Sequence, residues 1–314
     1  MVGGGIAGLT VAAALDPGRF ETVVYEAQPE RAGSGAALGV WGSAAAALRR
    51  IGVVLPASVA APAAALFDLQ GRRRLSVPDT GVRLVDRPEL LRALDNAVPV
   101  GVRRVDETVD DPRSLAADLV IGADGVRSRV RPLVAPRAAE RIPTPYVTLR
   151  GISPGAPDPG TVGEYWGRGL LFGQTPIAGD RTYWFTAHRD RQAAEPLEVD
   201  AVLDQARRRF ERAAPVIGAV LAGAGPDTLV TRMWVTSPMA RYVRGRYVVI
   251  GDAAHAMTPN LGRGACSAVV DAVTLAGALN SGRDLRWWQA RRVPVTQAAR
   301  VASGVVMRVA GSVR

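Results

Sequence analysis

The sequence predicts an α/β protein in which a Rossmann-like domain is interrupted by an inserted antiparallel sheet of α+β character. A G-x-G-x-x-G segment begins at Gly3, and a β-branched strand over 247–250 leads directly into Asp252 by way of a glycine. These two features are typical of nucleotide-binding α/β domains. Between 146 and 235 the pattern changes to five short strand-like runs separated by Gly, Pro and Asp residues, which indicates an antiparallel sheet.

The glycines near the amino terminus have the spacing of a dinucleotide-binding turn. Gly3 permits the tight turn, Gly5 lets the backbone approach a pyrophosphate, and Gly8 allows close packing of a helix expected over 9–15. The strand that follows ends in Glu26, at about the spacing where a carboxylate binds the ribose hydroxyls of an adenine dinucleotide. The segment therefore predicts dinucleotide binding, but it does not distinguish NAD from FAD.

A second candidate site follows the strand over 247–250. Gly251 and Asp252 place a carboxylate at the carboxyl end of this strand, where open α/β sheets bind ligands. The loop after them contains Pro259, Asn260, Gly262 and Gly264. A helix is expected from Ala265, and its amide groups and dipole would favour an anionic ring or phosphate. Taken alone, this pattern also fits an ordinary β–α corner with a capping Asp.

A third segment repeats the arrangement of a strand followed by Asp-Gly, at Asp124 and Gly125. With all three segments in order, the chain resembles the flavoprotein monooxygenases of the aromatic-hydroxylase type, the family that includes p-hydroxybenzoate hydroxylase. The residues that carry the resemblance are Gly3, Gly5 and Gly8, then Asp124, Gly125, Ser128 and Arg131, and finally Gly251, Asp252, Ala253, Ala254, His255, Pro259, Gly262, Gly264 and Asp271. The motifs span nearly the whole chain, and the last one also resembles the epoxidase branch of the family.

The resemblance implies an FAD-dependent monooxygenase. NADH or NADPH would act as a transient reductant, and O2 would form a flavin C4a-hydroperoxide that passes oxygen to a small aromatic or unsaturated substrate. The residues implied to bind FAD are Gly3, Gly5, Gly8, Glu26, Arg31, Arg87, Asp124, Gly251, Asp252, Pro259, Gly262 and Gly264. No catalytic side chain is expected, because the flavin carries the chemistry. The flavin edge is expected to face a loop that contains Pro259, Gly262, Arg263 and Gly264.

The resemblance also implies how the chain is divided into domains. We expect a discontinuous FAD-binding domain over 1–144 and 236–314, around a sheet domain over 145–235 that lines the substrate pocket. Three aromatic residues of this sheet are candidates for substrate contact: Phe172, Trp184 and Phe185. Aromatic residues on a sheet are more often plain core residues, so this assignment is the weaker one. One helical stretch is expected within the sheet domain, over 197–221.

Several element boundaries follow from local signals. Ser43 is expected to cap an alanine-rich helix, and Pro88 occupies the first turn of another. The last helix is expected over 285–309, with a break at Pro294. Val2 is the last of only two residues before the glycine turn, so the first strand is expected to be unusually short.

Composition and charge argue against several other classes. The net charge is +10 and all 39 basic residues are Arg, but their dispersion predicts no dedicated nucleic-acid site. No apolar run approaches the ~18 residues of a membrane span, and no secretory pattern precedes the glycine turn. The single cysteine, Cys266, excludes an internal disulfide, and the protein is expected to be cytoplasmic. No metal-ligand spacing occurs, and His188 is expected at the surface or satisfied in the core.

Two positions depart from the family pattern. Arg263 stands where the family usually has Gln, and Cys266 where it usually has Asn. Arg263 either faces the flavin and stabilises its anionic reduced form, or points into solvent. Cys266 is expected to be a buried packing residue rather than a nucleophile.

Alternatives to a monooxygenase stay open at this point. A reductase of the same fold would differ in its independence from O2. A flavin-dependent halogenase shares the first motif, although its W-x-W-x-I-P segment is absent from the sequence. A catalytically idle FAD-binding accessory protein would suit the short first strand and a region over 98–117 that is shorter than usual. The sequence does not determine the substrate, the choice between hydroxylation and epoxidation, or the oligomeric state.

Overall fold

The computed structural model describes residues 1–29, 36–60, 64–78, 81–190, 196–259 and 262–310. Arg31 and Asn260 lie outside these ranges. The helices are α1 (Ile6–Ala14), α2 (Gly42–Arg50), α3 (Arg87–Asn96), α4 (Arg131–Val134), α5 (Val199–Arg209), α6 (Pro215–Gly223), α7 (Asp252–His255), α8 (Gly264–Asn280) and α9 (Leu285–Ala310). The strands are β1 (Val23–Tyr25), β2 (Ala37–Val40), β3 (Ser58–Ala60), β4 (Ala64–Asp68), β5 (Arg73–Val77), β6 (Arg83–Asp86), β7 (Arg103–Val105), β8 (Val120–Gly122), β9 (Arg141–Pro154), β10 (Gly163–Gly167), β11 (Leu170–Ile177), β12 (Arg181–Arg189), β13 (Leu229–Thr236), β14 (Val243–Arg244) and β15 (Tyr247–Val249).

A parallel sheet brings together segments from both ends of the chain. Its order is β7, β1, Val2, β8 and β15, with β14 antiparallel at the edge. Val2 connects the two halves of the sheet through bridges to Tyr25 and Gly122. Helices α1 and α8 pack on this sheet through buried residues such as Val11 and Ala272. None of the helices in the described ranges combines the length and apolar character of a membrane span.

A seven-stranded sheet forms the second large layer, in the order β13, β9, β12, β11, β10, β4 and β5. The five strands expected between 146 and 235 are all present, although β9 begins earlier, at Arg141. Two further strands, β4 and β5, join this sheet from before position 145, which the sequence did not predict. Helices α5 and α6 cover one face of the sheet, which we call the back face. A small sheet in the order β2, β6 and β3 lies beside it and shares a core cluster with Ile177.

Three local predictions are wrong in detail. Helix α2 begins at Gly42 with Trp41 as its N-cap residue, so Ser43 lies inside the first turn and is not the cap. The stretch over 197–221 forms two helices, because Pro215 begins α6 and disfavours helical backbone before it. Helix α9 continues through Pro294 without a break. Buried side chains on both sides of Pro294 anchor α9 to the protein, which holds the helix together despite the lost backbone hydrogen bond.

Candidate active site

The glycine turn lies where the parallel strands end. The backbone of Gly3 has φ +101°, and a Cβ atom there would clash with the carbonyl oxygen of Ala123, so only glycine fits. A Cβ on Gly8 would likewise clash with the carbonyl of Gly3, which explains how closely α1 approaches the turn. On Gly5, by contrast, a Cβ would meet no atom of the described residues within 4 Å. The open side of the turn is therefore the side on which a pyrophosphate could approach the backbone.

Glu26 supports this turn directly. Its Oε2 accepts a hydrogen bond from the backbone N–H of Gly4 at 2.6 Å, and its Oε1 accepts one from Gln28 at 2.8 Å. An ionised carboxylate has about four lone-pair sites, so both oxygens retain capacity for ribose hydroxyls. The structure thus brings Glu26 to the predicted place and gives it a second role, which is to hold the glycine turn.

Asp124 follows β8 at the same edge of the parallel sheet. Its Oδ2 accepts hydrogen bonds from the backbone N–H groups of Arg129, at 2.7 Å, and Val130, at 3.3 Å. Its Oδ1 is buried and has no hydrogen-bond partner among the described residues. Burial raises the pKa of Asp124 above its ordinary value, against the effect of these donors. A hydroxyl of a bound cofactor would supply the donor that Oδ1 lacks.

Arg131 connects the motif that contains Asp124 to the motif that contains Asp252. Its side chain is buried, and it donates hydrogen bonds to the carbonyls of Val126 at 2.8 Å, Ala139 at 3.1 Å and Ala253 at 3.2 Å. A buried guanidinium satisfied by three carbonyls fixes the loops that carry them. Arg131 therefore positions the backbone beside Asp252 and is not itself exposed to a ligand.

Asp252 lies beside the first residue of α8, and we call the region that it shares with Arg87 and Arg150 the cleft. Water reaches its side chain, and a Cβ on Gly264 would lie 4.0 Å from its Oδ1. Desolvation by the surrounding protein raises the pKa of Asp252, although His255, Arg150 and Arg87 all favour the carboxylate form. Among the described residues no donor forms a hydrogen bond to this carboxylate. It could therefore accept hydrogen bonds from a bound ligand.

Arg87 and Arg150 add positive charge to the cleft. Burial lowers the pKa of Arg87, the neighbouring charge of Arg150 lowers it further, and Asp252 acts in the opposite direction. Arg87 begins α3, as its position before Pro88 predicts. Arg150 was missed by the sequence reasoning, because only the pairing of β9 in the sheet brings it beside Asp252.

A buried network holds the backbone under Asp252. Gly251 has φ +59° and donates its N–H to Oδ2 of Asp271 at 3.1 Å. The same Oδ2 lies 2.5 Å from Nε2 of His255, and Oδ1 accepts a hydrogen bond from Nε of Arg292 at 2.7 Å. Burial opposes the charge, but His255 and Arg292 outweigh it and lower the pKa of Asp271. His255 and Asp271 of the motif therefore hold the backbone turn at Gly251 in place.

The loop expected at the flavin edge is held by Trp41. The guanidinium of Arg263 lies 4.5 Å from the centre of the Trp41 indole, and Arg263 is exposed. Gly262 has φ +57°, and a Cβ there would lie 3.7 Å from Nε1 of Trp41. Arg263 thus stacks on an aromatic ring, an arrangement that the two alternatives drawn from the sequence did not include. Pro259 is exposed just before the gap in the described residues.

Cys266 packs beneath the same loop. It is buried, it donates to the carbonyl of Gly39 at 3.2 Å, and it accepts from the N–H of Trp41 at 3.4 Å. Burial raises the pKa of its thiol, which argues against an activated nucleophile. Trp41 itself was missed, because a tryptophan before an alanine-rich helix gives no local signal of a contact 225 residues away along the chain.

The two faces of the seven-stranded sheet separate the predicted substrate residues. Phe172 and Trp184 are fully buried on the back face, in the core cluster with α5 and α6. Phe185 lies on the opposite face, which we call the front face, together with Tyr183 and Arg150. The structure therefore brings only Phe185 of the three candidates to the side of Asp252.

Glu164 and Trp166 also lie on the front face. The indole Nε1 of Trp166 donates to Oε2 of Glu164 at 2.7 Å. Burial raises the pKa of Glu164 to about 7, and the Trp166 hydrogen bond opposes this only in part. His188, on the back face, is fully buried, so it lies in the core and not at the surface. Its Nε2 pairs with Oε1 of Gln205 at 2.5 Å, whereas its Nδ1 has no hydrogen-bond partner among the described residues.

The residues present fit an FAD cofactor. The open side of Gly5, the unpartnered Oδ1 of Asp124 and the unpartnered carboxylate of Asp252 all lie at one edge of the parallel sheet. Acceptors for hydroxyl groups and a glycine turn for a pyrophosphate are the groups that a flavin dinucleotide requires. A search of the described ranges finds no cluster of three or more His, Cys, Asp or Glu side chains that could hold a metal ion.

Comparisons with known proteins agree with this fit. A family model described as an FAD binding domain matches residues 79–282. The chain is 31% identical to the aurachin C monooxygenase/isomerase of Stigmatella aurantiaca over 91% of this chain and 81% of that protein. It is 32% identical to the 2-heptyl-3-hydroxy-4(1H)-quinolone synthase of Mycobacteroides abscessus over 100% of this chain and 90% of that one. The structure of Klebsiella pneumoniae HpxO complexed with FAD and uric acid superposes with a TM-score of 0.83 at 26% identity, covering 99% of this chain and 87% of HpxO. The chain belongs to the aromatic-hydroxylase family of FAD-dependent monooxygenases.

Proposed function

We propose that this enzyme uses NAD(P)H and O2 to insert one oxygen atom into a small aromatic or unsaturated substrate, by hydroxylation or epoxidation. The observation that carries the proposal is that Arg150 lies near enough to Asp252 for its charge to favour the carboxylate form. Asp252 belongs to the cofactor cleft at the beginning of α8, whereas Arg150 belongs to the front face of the seven-stranded sheet. A substrate bound on the front face would therefore lie beside the cofactor.

The names of the relatives favour a nitrogen heterocycle as substrate. They specify a hydroxyquinolone and urate, each of which contains nitrogen in its ring system. The front face offers Phe185 and Tyr183, whose rings lie 5.9 Å apart, as an apolar surface for such a ring. These features support an aromatic substrate more strongly than an isolated alkene.

The residues of this chain would bind the cofactor and exclude water. Bound FAD, once reduced, would supply the activation of O2. The glycine turn that ends at Gly8 and the acceptors of Asp124 and Asp252 would hold FAD in place. On the front face, Phe185 and Trp166 pack against a core cluster that includes Met307 of α9, and these apolar groups would line one side of the cleft. Exclusion of water from the cleft would protect a reactive intermediate from decay.

We also propose the remaining assignments from the sequence. The chain has a single G-x-G-x-x-G segment at its start, so NADH or NADPH would bind only transiently. A single cysteine suits the reducing cytoplasm. The proposed domain division is 1–144 and 236–314 for FAD and 145–235 for the substrate, with β4 and β5 contributed to the substrate sheet by the first segment.

Isotope labelling tests the reaction class. The FAD-loaded enzyme is incubated with NADH or NADPH and a panel of nitrogen heterocycles under isotopically labelled O2. We expect slow cofactor oxidation alone, faster oxidation with a true substrate, and one labelled oxygen atom in its product. A product whose new oxygen comes from water would contradict a monooxygenase. Substrate turnover that continues without O2 would favour a reductase of the same fold.

A further inference from the structure

We propose that the carboxylate of Glu164 accepts a hydrogen bond from an N–H or O–H group on the substrate ring. It would make the enzyme selective for heteroaromatic or phenolic compounds that carry such a donor. This inference rests on the proposed function, because it assigns one wall of the same cleft. Three observations support it, namely a row of residues across the sheet, the free acceptor capacity of Glu164, and the apolar groups around it.

The first observation is a row of residues on the front face. Adjacent strands pair Arg150 with Phe185, Phe185 with Gly173, and Gly173 with Glu164. Arg150 and Glu164 are thus three strand spacings apart, roughly 14 Å. The row begins at the cation beside Asp252 and ends at the carboxylate of Glu164. A bicyclic ring is short enough to lie along it.

Gly173 gives the middle of the row its shape. A Cβ atom at this position would overlap the ring of Phe185, so the absence of a side chain lets that ring lie across the strand. Because Glu164 is the next residue along the row, the ring covers the strand beside its carboxylate. An aromatic surface next to an acceptor is the arrangement that binds a flat ring bearing an N–H or O–H group.

The second observation is the unused capacity of the carboxylate. In the described part of the chain the one hydrogen bond to Glu164 comes from Trp166, and it uses Oε2. An ionised carboxylate has about four lone-pair sites, so Oε1 is available to a ligand. Trp166 also fixes the orientation of the carboxylate, because its indole N–H can only donate.

The third observation is that no described residue beside Glu164 supplies a compensating charge. Glu164 pairs with Gly173 on one side and with Leu66 of β4 on the other. Its hydrogen-bonded partner Trp166 packs against the core cluster that includes Met307 and Ala310 at the end of α9. A largely buried carboxylate without a cation is unfavourable unless donors satisfy it. Burial raises the pKa of Glu164 to about 7, and the hydrogen bond from Trp166 opposes this shift. A hydrogen-bond donor on the substrate would stabilise the buried carboxylate of Glu164, whereas a substrate carboxylate at the same place would be repelled.

Matched ligands test the inference without turnover. The FAD-loaded protein is titrated with 4(1H)-quinolone and 1-methyl-4(1H)-quinolone, and with 2-naphthol and 2-methoxynaphthalene, and binding is followed by flavin absorbance. We expect the wild-type protein to bind at least one donor compound about tenfold or more tighter than its methylated counterpart, because methylation leaves the carboxylate unpaired. Equal affinity within both pairs, or no binding of either donor compound, would overturn the inference.

Variants assign the preference to Glu164. Glu164→Ala should lose the preference for the donor compound, and its affinity for the methylated compound should stay within about twofold. Trp166→Phe keeps the acceptor and should retain the preference, and Glu211→Gln, at an exposed position, serves as the matched control. A Glu164→Ala protein that retains its FAD and circular dichroism spectrum and still prefers the donor compound would overturn the inference. Incorporation of labelled oxygen is measured separately, so a failure of the monooxygenase proposal is distinguishable from a failure of this one.

Discussion

At Asp252, desolvation and the neighbouring charges act in opposite directions on the pKa of the carboxyl group. Desolvation favours the neutral acid, while Arg87, Arg150 and His255 favour the carboxylate, and the net effect is a raised pKa. Hydroxyl groups of a bound cofactor would donate hydrogen bonds to the carboxylate, so they would also favour its charged form. Binding of FAD should therefore lower the pKa of Asp252, release a proton in part, and become tighter as pH rises through the raised pKa.

Replacing Asp252 by Asn should weaken the binding of FAD. Loss of a hydrogen bond to a charged acceptor costs about 1.5–3 kcal/mol, which corresponds to a Kd about 10- to 150-fold higher. Fluorescence titration of the apoprotein with FAD measures the change. Asp227→Asn, at an exposed position, is the control and should leave the Kd unchanged. Equal affinity of the Asp252→Asn and control proteins would remove Asp252 from the FAD site.

Glu164 should make stability depend on pH. Its pKa in the folded protein is about 7, above the ordinary 4.5, so the stability that it contributes is fully present below pH 4.5 and is lost as pH rises through 7. Glu164→Gln removes this titration. The melting temperature of the variant, relative to the wild type, should therefore rise between pH 4.5 and 7 and then level off. A constant difference over that interval would show that Glu164 titrates normally.

Among the elements, α9 continues through a proline because its flanks are held in place. Before Pro294, the buried Trp288 donates to Thr274 at 3.0 Å. After it, Thr296 pairs with Tyr242 at 2.6 Å. Helix propensity alone predicts a break, but these contacts fix both halves on one axis. These tertiary contacts therefore offset the free-energy cost of Pro294, and the helix does not end there.

Pro294→Ala should stabilise the protein. It restores an N–H that can bond to the carbonyl of Ala290, and it removes a clash with that carbonyl, a gain of up to about 3 kcal/mol. Pro215→Ala is the matched control, because Pro215 begins α6, where the missing N–H has no helical partner. Urea denaturation of both variants measures the difference. A larger gain from the control variant would contradict this account of α9.

Elements with strong local signals were predictable, and those set by distant contacts were not. The strands of the inserted sheet are marked by turn residues and by alternation along each strand, so all five were placed correctly. The start of α3 was clear from Pro88. The continuity of α9 depends on Tyr242 and Thr274, which are far away in the sequence and leave no pattern around Pro294.

At the scale of the whole molecule, the loops that begin at Gly3, Asp124 and Gly251 meet because the strands before them are parallel neighbours. This part of the site could be predicted, since the carboxyl ends of parallel strands share one edge. The front face could not be predicted, because alternation separates Trp184 from Phe185 without showing which face α5 and α6 cover. Arg150 and Glu164 were missed for the same reason.

Asp271 connects three parts of the molecule, so its loss should affect both folding and cofactor binding. Asp271→Asn leaves Arg292 without its carboxylate partner and weakens the hold of His255 and Gly251. Breaking a buried ion pair costs about 3–5 kcal/mol, so the free energy of unfolding should fall by about this amount. Urea denaturation measures it, with Asp227→Asn as control. An unchanged free energy of unfolding would mean that the network is dispensable.

Val2 bridges both β1 and β8, and we call this junction within the parallel sheet the seam. The amides of Tyr25 and Ala123 bond across it to carbonyls of the first two residues, at 2.9 and 2.8 Å. Hydrogen exchange should therefore proceed by local opening at this seam, and both amides should exchange faster than that of Val248 inside the β8–β15 pair. FAD contacts both sides of the seam if it binds as proposed, so saturation with FAD should slow exchange at Tyr25 and Ala123 far more than at Val248. Bound FAD would then stabilise the parallel sheet against local opening, in addition to its chemical role.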